Sequence, residues 1–209
     1  MPLHIFTSQI PVNTDVNNVE GSPGVTLGTA WRSDKEGVLR GIRFYLGNRN
    51  YDGQTLVGAL YSWGTAELLA QQDYTVTDSD AIGFVTIPFA SADQPLIKQN
   101  QRYIAAVFFP CDTSDDGKAH YVYTGGSFFG AELANPPLYA LKDEPILDRR
   151  NGLYKYGSAL DFPNSNGAGT CYFIDVEFDY VARMPVFNDA DGTYEPKVVK
   201  YRQGGEWHY

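Results

Sequence analysis

The stretch DTSDDG at residues 112–117 sets Asp112, Ser114 and Asp116 at alternate positions ahead of Gly117, the spacing of the first half of a calcium loop. Oxygen ligands in that pattern can share one cation, and the glycine permits the sharp turn that gathers them. The second half is missing. Tyr123 stands where the bidentate glutamate belongs, so a Ca²⁺ ion here must draw ligands from another loop; the alternative is a solvated hairpin turn. NDADG at 188–192 repeats the pattern more weakly and reads as a turn.

A second kind of chemistry needs aromatic rings beside hydrogen-bonding groups. Arg43 with Tyr45 in GVLRGIRFYLGN, and Trp63 in the turn SWGT, are the candidate ligand-binding residues: a ring face stacks on a pyranose while a charged fork bonds its hydroxyls. A core aromatic, or an arginine stacked on a surface ring, is the competing reading. With a period of two, Arg40 shares the core face with Val38, Ile42, Phe44 and Leu46 and reaches the sheet rim, whereas Arg43 and Tyr45 lie on the outward face. Substituting an exposed Arg43 by Ala is then expected to change stability by no more than about 1 kcal/mol.

Catalytic motifs are missing. His4, His120 and His208 form no H-E-x-x-H pattern, and the chain contains no G-x-S-x-G elbow, phosphate-binding P-loop or G-x-G-x-x-G after a strand. A carboxylate pair for glycoside hydrolysis is defined in space rather than in sequence, so a glycan-cleaving enzyme stands as a third class behind two binding roles. The expectation is a protein that is not an enzyme.

The elements that must position these residues are strands. Candidates span 26–33, 38–47, 55–63, 67–76, 82–89, 102–109, 119–124 and 171–181, separated by turns such as DKEG, NYDG, SWGT and DDG. The fold class is all-β: one antiparallel β-sandwich, jelly-roll-like, with long loops and a short C-terminal tail. In TCYFIDVEFDYV, Tyr172, Ile174, Val176, Phe178 and Tyr180 face inward, and Phe173 with the acids Asp175, Glu177 and Asp179 faces outward. That strand is expected to have one wet face, its acids solvated or relieved by a cation or by Arg43 or Arg102. Only 66–72 and 137–147 resemble helix, weakened by Tyr74, Val76 and several prolines. Residues 125–170 read as loops laid over the sandwich, where such folds place their binding surfaces.

The organisation expected is an N-terminal arm at 1–25, the sandwich at 26–181, and an attachment segment at 182–209. The last contains two similar units, DADGTY and RQGGEW, each a glycine turn leading to an aromatic. Tyr194, Tyr201, Trp207 and Tyr209 are the candidate assembly contacts, because a tail this short must pack on the domain or on a neighbour to be ordered.

A formal net charge of -9 argues against nucleic acid as a partner. The longest apolar runs are strand-sized, so no membrane span is expected, and MPLHIFTSQ lacks the features of an export signal. Cys111 and Cys171 are the only cysteines; a bridge between them is left open beside two free thiols.

The blocks LGTAWRSDKEGVLRGIRFYLG, LVGALYSWGTAELLA, GFVTIPFASADQPLIKQNQRYIAAVFF, NGLYKYGSALDFPN and CYFIDVEF occur in that order over roughly residues 26 to 181. Together they resemble an uncharacterised β-sandwich domain family found in bacterial secreted proteins and in virion proteins of phages infecting actinobacteria. The resemblance implies a carbohydrate-binding or adhesive module, and it carries over no catalytic residue. The ending DGTYEPKVVKYRQGGEWHY is similar to the Gly-aromatic attachment pieces of phage tail and capsid accessory proteins. The expectation is therefore a virion structural protein, a minor tail or capsid decoration component, with other virion proteins and homo-oligomeric copies as partners and host-surface glycans as a contact. The alternative is a carbohydrate-binding module of a bacterial cell-surface or secreted protein.

Overall fold

A computed structural model describes residues 1–17, 23–48, 51, 53–77, 80–112, 116–144, 150–180, 183–188, 193–198, 201–203 and 206–208. Its strands are β1 (Asn13–Asn17), β2 (Gly24–Ser33), β3 (Gly37–Leu46), β4 (Thr55–Ser62), β5 (Leu68–Thr75), β6 (Gly83–Pro88), β7 (Leu96–Ile97), β8 (Arg102–Pro110) and β9 (His120–Tyr123). They continue with β10 (Leu133–Asn135), β11 (Leu138–Ala140), β12 (Leu153–Tyr156), β13 (Ser165–Asn166), β14 (Ile174–Tyr180), β15 (Arg183–Asn188), β16 (Thr193–Val198), β17 (Tyr201–Gln203) and β18 (Glu206–His208). No helix among the described residues is long and apolar enough to cross a membrane.

The strands form a sandwich of antiparallel sheets. The larger has the order β10-β11-β2-β8-β4-β5, with β12 joining the flank of β2 that β11 also uses and β13 pairing onto β12. The smaller has the order β14-β3-β6, with β7 beside the start of β3. Strands β2 and β8 are buried on both faces, which is why GVTLGTAW and YIAAVFF run apolar or small without alternation. Their inward residues Leu27, Trp31, Tyr103 and Phe109 meet Leu39, Ile42, Phe44, Val176 and Phe178 of the smaller sheet. Trp31 lies edge-on to Phe178 at 6.4 Å, and Phe44 to Phe109 at 6.0 Å. Full burial of each such side chain stabilises the fold by about 1.5–3 kcal/mol.

Both stretches that resemble helix contribute strands instead: Leu68 opens edge strand β5, and Leu138–Ala140 is β11, while 145–147 lie outside the described residues. Residues 125–170 are less irregular than expected, because they supply β10 to β13 to the flank of β2. Between the β11 and β12 pairings that flank has a gap at Ala30, and Asn151 fills it. Its Oδ1 accepts the Ala30 amide at 2.7 Å and its Nδ2 donates to the Ala30 and Leu141 carbonyls at 3.0 and 2.6 Å, so one side chain stands in for a strand's peptide group.

A β-bulge corrects the expected parity of β3. Glu177 pairs with Gly41 and Phe178 with Leu39, skipping Arg40. The skipped residue resets the alternation, so Leu39 enters the core and Arg40 leaves it to bond Asp179 at 2.8 Å and Gln94 at 2.9 Å.

The outward face of β14 is not wet. Residues 1–6 lie across it: Leu3 exchanges backbone hydrogen bonds with Phe178 at 2.7 and 3.0 Å, and Ile5 and Phe6 are buried. Phe6 packs among Phe84, Phe128 and Phe173. Alternation in β14 marks a second face correctly but cannot say whether water or chain covers it. Asp175 and Phe173 are consequently fully buried, whereas Tyr180, expected inward, is exposed.

At the C-terminal end β15 pairs with β16 and β17 with β18, both antiparallel.

Candidate functional site

The outer face of the larger sheet carries a concavity. Where Leu153, Gly28, Ala106 and Ala59 stand in register across β12, β2, β8 and β4, the side chains are small and the surface dips. Residues 157–164 cross this face. Gly157 donates to the Gly24 carbonyl at 3.1 Å, the Asp161 amide to Thr26 Oγ1 at 3.2 Å, and Lys155 Nζ reaches Asp161 Oδ2 at 2.6 Å. Gly28 makes the close approach feasible, since a Cβ there would stand 2.9 Å from Ile104 Cγ2 and 3.0 Å from Pro163 Cγ.

The result is an open groove of about 270 Å³. Ile104 and Leu153 form its floor, Trp63, Phe162 and Pro163 its walls, and Arg150 and Asn164 its polar groups. Trp63 reaches it because β4 ends at Ser62 and the Trp63 amide still bonds the Arg102 carbonyl at 3.2 Å, leaving the indole half-buried at the sheet's outer edge. Phe162 stands edge-on to Tyr61 at 5.5 Å. Burial, reinforced by Asp161, pushes the Tyr61 hydroxyl up to about 12, so it stays neutral at physiological pH. No carboxylate is among the described groove residues. The volume is near the lower edge of the range of about 300–1,000 Å³ usual for ligand pockets, room for one sugar ring.

Of the candidate ligand residues, Trp63 alone lines this groove. Arg43 and Tyr45 belong to the smaller sheet, under the N-terminal arm, and do not form an open patch. Arg43 Nη1 bonds Asp175 Oδ2 at 3.1 Å and its guanidinium lies 4.5 Å over the Phe84 ring, while Tyr45 packs edge-on against Phe84 and Phe173. The expected outward-facing patch is therefore corrected: Arg43 is the partner of a buried acid. Asp175 also accepts the amides of Ile5, Val176 and Phe6 at 2.8, 2.7 and 3.4 Å. Burial pushes its carboxyl up to about 6, with Arg43 and these amides opposing the shift.

The candidate calcium residues have other engagements. Asp112 closes a turn through backbone bonds with Gly117 and Lys118, Asp116 accepts the Lys118 amide at 3.0 Å and faces His120 Nε2 at 3.0 Å, and Ser114 lies outside the described residues. Among the described residues no group of three or more His, Cys, Asp and Glu side chains is placed to hold a metal ion. Tyr194, Tyr201 and Trp207 fall in the C-terminal strands, and Tyr209 lies outside the described residues. No disulfide joins Cys111 to Cys171.

Sequence reasoning missed Arg150, Phe162 and Asn164. The one signal was an aromatic before proline in DFPN, inside the segment expected to form loops over the sandwich.

No curated protein matches the chain. A family model described as a domain of unknown function (DUF4082) matches residues 11–174.

Proposed function

The chain belongs to the DUF4082 family, and from that premise we propose that it is a non-catalytic adhesive protein of a phage particle, a minor tail or capsid decoration component whose sandwich contacts host-surface glycans. The groove of Trp63, Phe162, Arg150 and Asn164 carries this reading: two aromatic walls offer ring faces to a pyranose, and a guanidinium and an amide can bond its hydroxyls. The virion setting rests on the five sequence blocks and on the Gly-aromatic C-terminal units, which supply paired strands beyond the sandwich. Repeated copies on a symmetric particle would turn weak single-site contacts into avid attachment.

Two measurements test it. Isothermal titration of purified protein with host cell-wall oligosaccharides is expected to show binding that Trp63→Ala removes; undiminished binding by the variant rejects the groove. Mass spectrometry of purified particles is expected to find the protein, and truncation after Met184 to remove it. The same groove also suits a carbohydrate-binding module of a bacterial cell-surface or secreted protein. Glycan affinity in a soluble monomer that never enters particles would favour that second role.

A further inference from the structure

Away from the groove, five tyrosines gather where β9, β12 and the chain before β14 meet: Tyr121, Tyr123, Tyr154, Tyr156 and Tyr172. Strand geometry brings them together. Thr124 and Cys171 exchange backbone hydrogen bonds at 2.9 Å, which sets Tyr123 beside Tyr172. On β12, Leu153 lines the groove and Lys155 shares its side, so Tyr154 and Tyr156 project from the opposite one. Tyr121 meets Tyr172 edge-on at 5.9 Å, and Tyr154 meets Tyr156 at 5.4 Å. A Cβ on Gly167 would stand 2.6 Å from the Tyr172 hydroxyl, so glycine there makes room for the phenol.

Tyr156 is 40% exposed, and the other four tyrosines are half-buried. Among the described residues none of the five hydroxyls has a hydrogen-bond partner, whereas those of Tyr74, Tyr103 and Tyr139 do. Burial pushes the Tyr121 hydroxyl up to about 12 and that of Tyr172 higher still, and the remaining influences on both come from the other phenols of the cluster. Tyr121 and Tyr172 are therefore uncharged at physiological pH, and each phenolic hydroxyl of the cluster can donate and accept.

We infer that this tyrosine cluster is a second ligand-binding surface, and that its ligand is a neutral polysaccharide whose sugar rings lie on the phenol faces and whose hydroxyls bond the phenolic oxygens. Rings with unspent hydroxyls match such a chain in both parts. Charge decides between polymers: nothing in the cluster pairs with an anion, and a protein of net charge -9 repels acidic glycans. The inference extends the glycan-contact reading without depending on the groove.

The test is the triple variant Tyr154→Phe, Tyr156→Phe, Tyr172→Phe, which keeps the rings and removes only the hydroxyls. Affinity electrophoresis in gels containing a neutral glucan, mannan or arabinogalactan, with polygalacturonate as the acidic control, compares it with wild type and with Trp63→Ala. Wild type is expected to be retarded by at least one neutral polymer and not by polygalacturonate. The triple variant should bind at least about tenfold more weakly with an unchanged thermal midpoint. Equal retardation of the triple variant and wild type, preference for polygalacturonate, or no retardation of wild type by any neutral polymer overturns the inference. Loss in Trp63→Ala alone leaves the groove standing and removes the cluster; loss in the triple variant alone does the reverse.

Discussion

Arg43 and Asp175 face each other at 3.1 Å beneath the N-terminal arm, and the Asp175 side chain has 0% exposure. Removing one member of such a pair strands the other charge out of water. Arg43→Ala is expected to destabilise the protein by about 3–5 kcal/mol, well beyond the change an exposed arginine would produce. Urea unfolding reads it as a lower midpoint at constant slope; a change within about 0.5 kcal/mol would mean that the acid is solvated after all.

His4 lies on the same arm, its Nδ1 3.0 Å from the Val176 carbonyl. Burial lowers its pKa below 6.5, the Val176 carbonyl opposing and Arg43 adding to the shift. Because the unfolded chain then binds the proton more readily, stability from this residue is complete above about pH 6.5 and is lost as the pH falls. Asp175 acts with the opposite sign: its folded value, about 6, lies above the unfolded 3.8, so its contribution is greatest in acid and declines as the pH rises through that window. His4→Gln strips out the histidine part alone. Its stability should fall less than that of wild type between about pH 7 and 5; parallel curves would contradict the assignment.

Asn151 accepts or donates four hydrogen bonds from its side chain, to Ala30, Leu141 and Gly152, with no exposure. Asn151→Ala strips the Ala30 and Gly152 amides and the Leu141 carbonyl of this partner, while the Ala30 carbonyl keeps the Leu141 amide, and a loss of about 3–5 kcal/mol is expected. Since Arg150 is its neighbour, groove affinity should also fall in any variant that still folds. Thermal unfolding and titration measure the two effects, and a midpoint shift of only a degree or two would exclude the strand-mimic role.

Cys171 is buried, and burial raises its thiol well above the ordinary value. Thiolate is the reacting species, so native protein should leave Cys171 unlabelled by iodoacetamide, with labelling appearing only in denaturant. Peptide mass spectrometry decides it; rapid native labelling would require an opening at Thr124.

Residues 26–33, 38–47, 55–63 and 102–109 were legible as strands because their period-two or wholly apolar character is local, and they fall on β2, β3, β4 and β8. What covers a face is not local. The alternation of β14 marks Asp175 and Phe173 as outward, but the chain that covers them arrives from residues 3–6. A single bulge at Arg40 inverts the parity on one side of it, and no residue type in GVLRGIRFYLGN announces which position is skipped. Trp63 was singled out by its ring and its turn, yet Phe162, Pro163 and Asn164, which line the groove with it, lie about a hundred residues away in a segment without periodicity. The tyrosine cluster was hidden for the same reason: residue type was visible, and strand register, which makes neighbours of residues 121, 154 and 172, was not.

The antiparallel bridge between Leu3 and Phe178 ties the arm ahead of β1 to β14, the strand of the sandwich most distant from it in the chain. During synthesis the arm waits for β14 to leave the ribosome, and until then one edge of β3 and the ring of Phe6 stay open to chaperones or to neighbouring nascent chains.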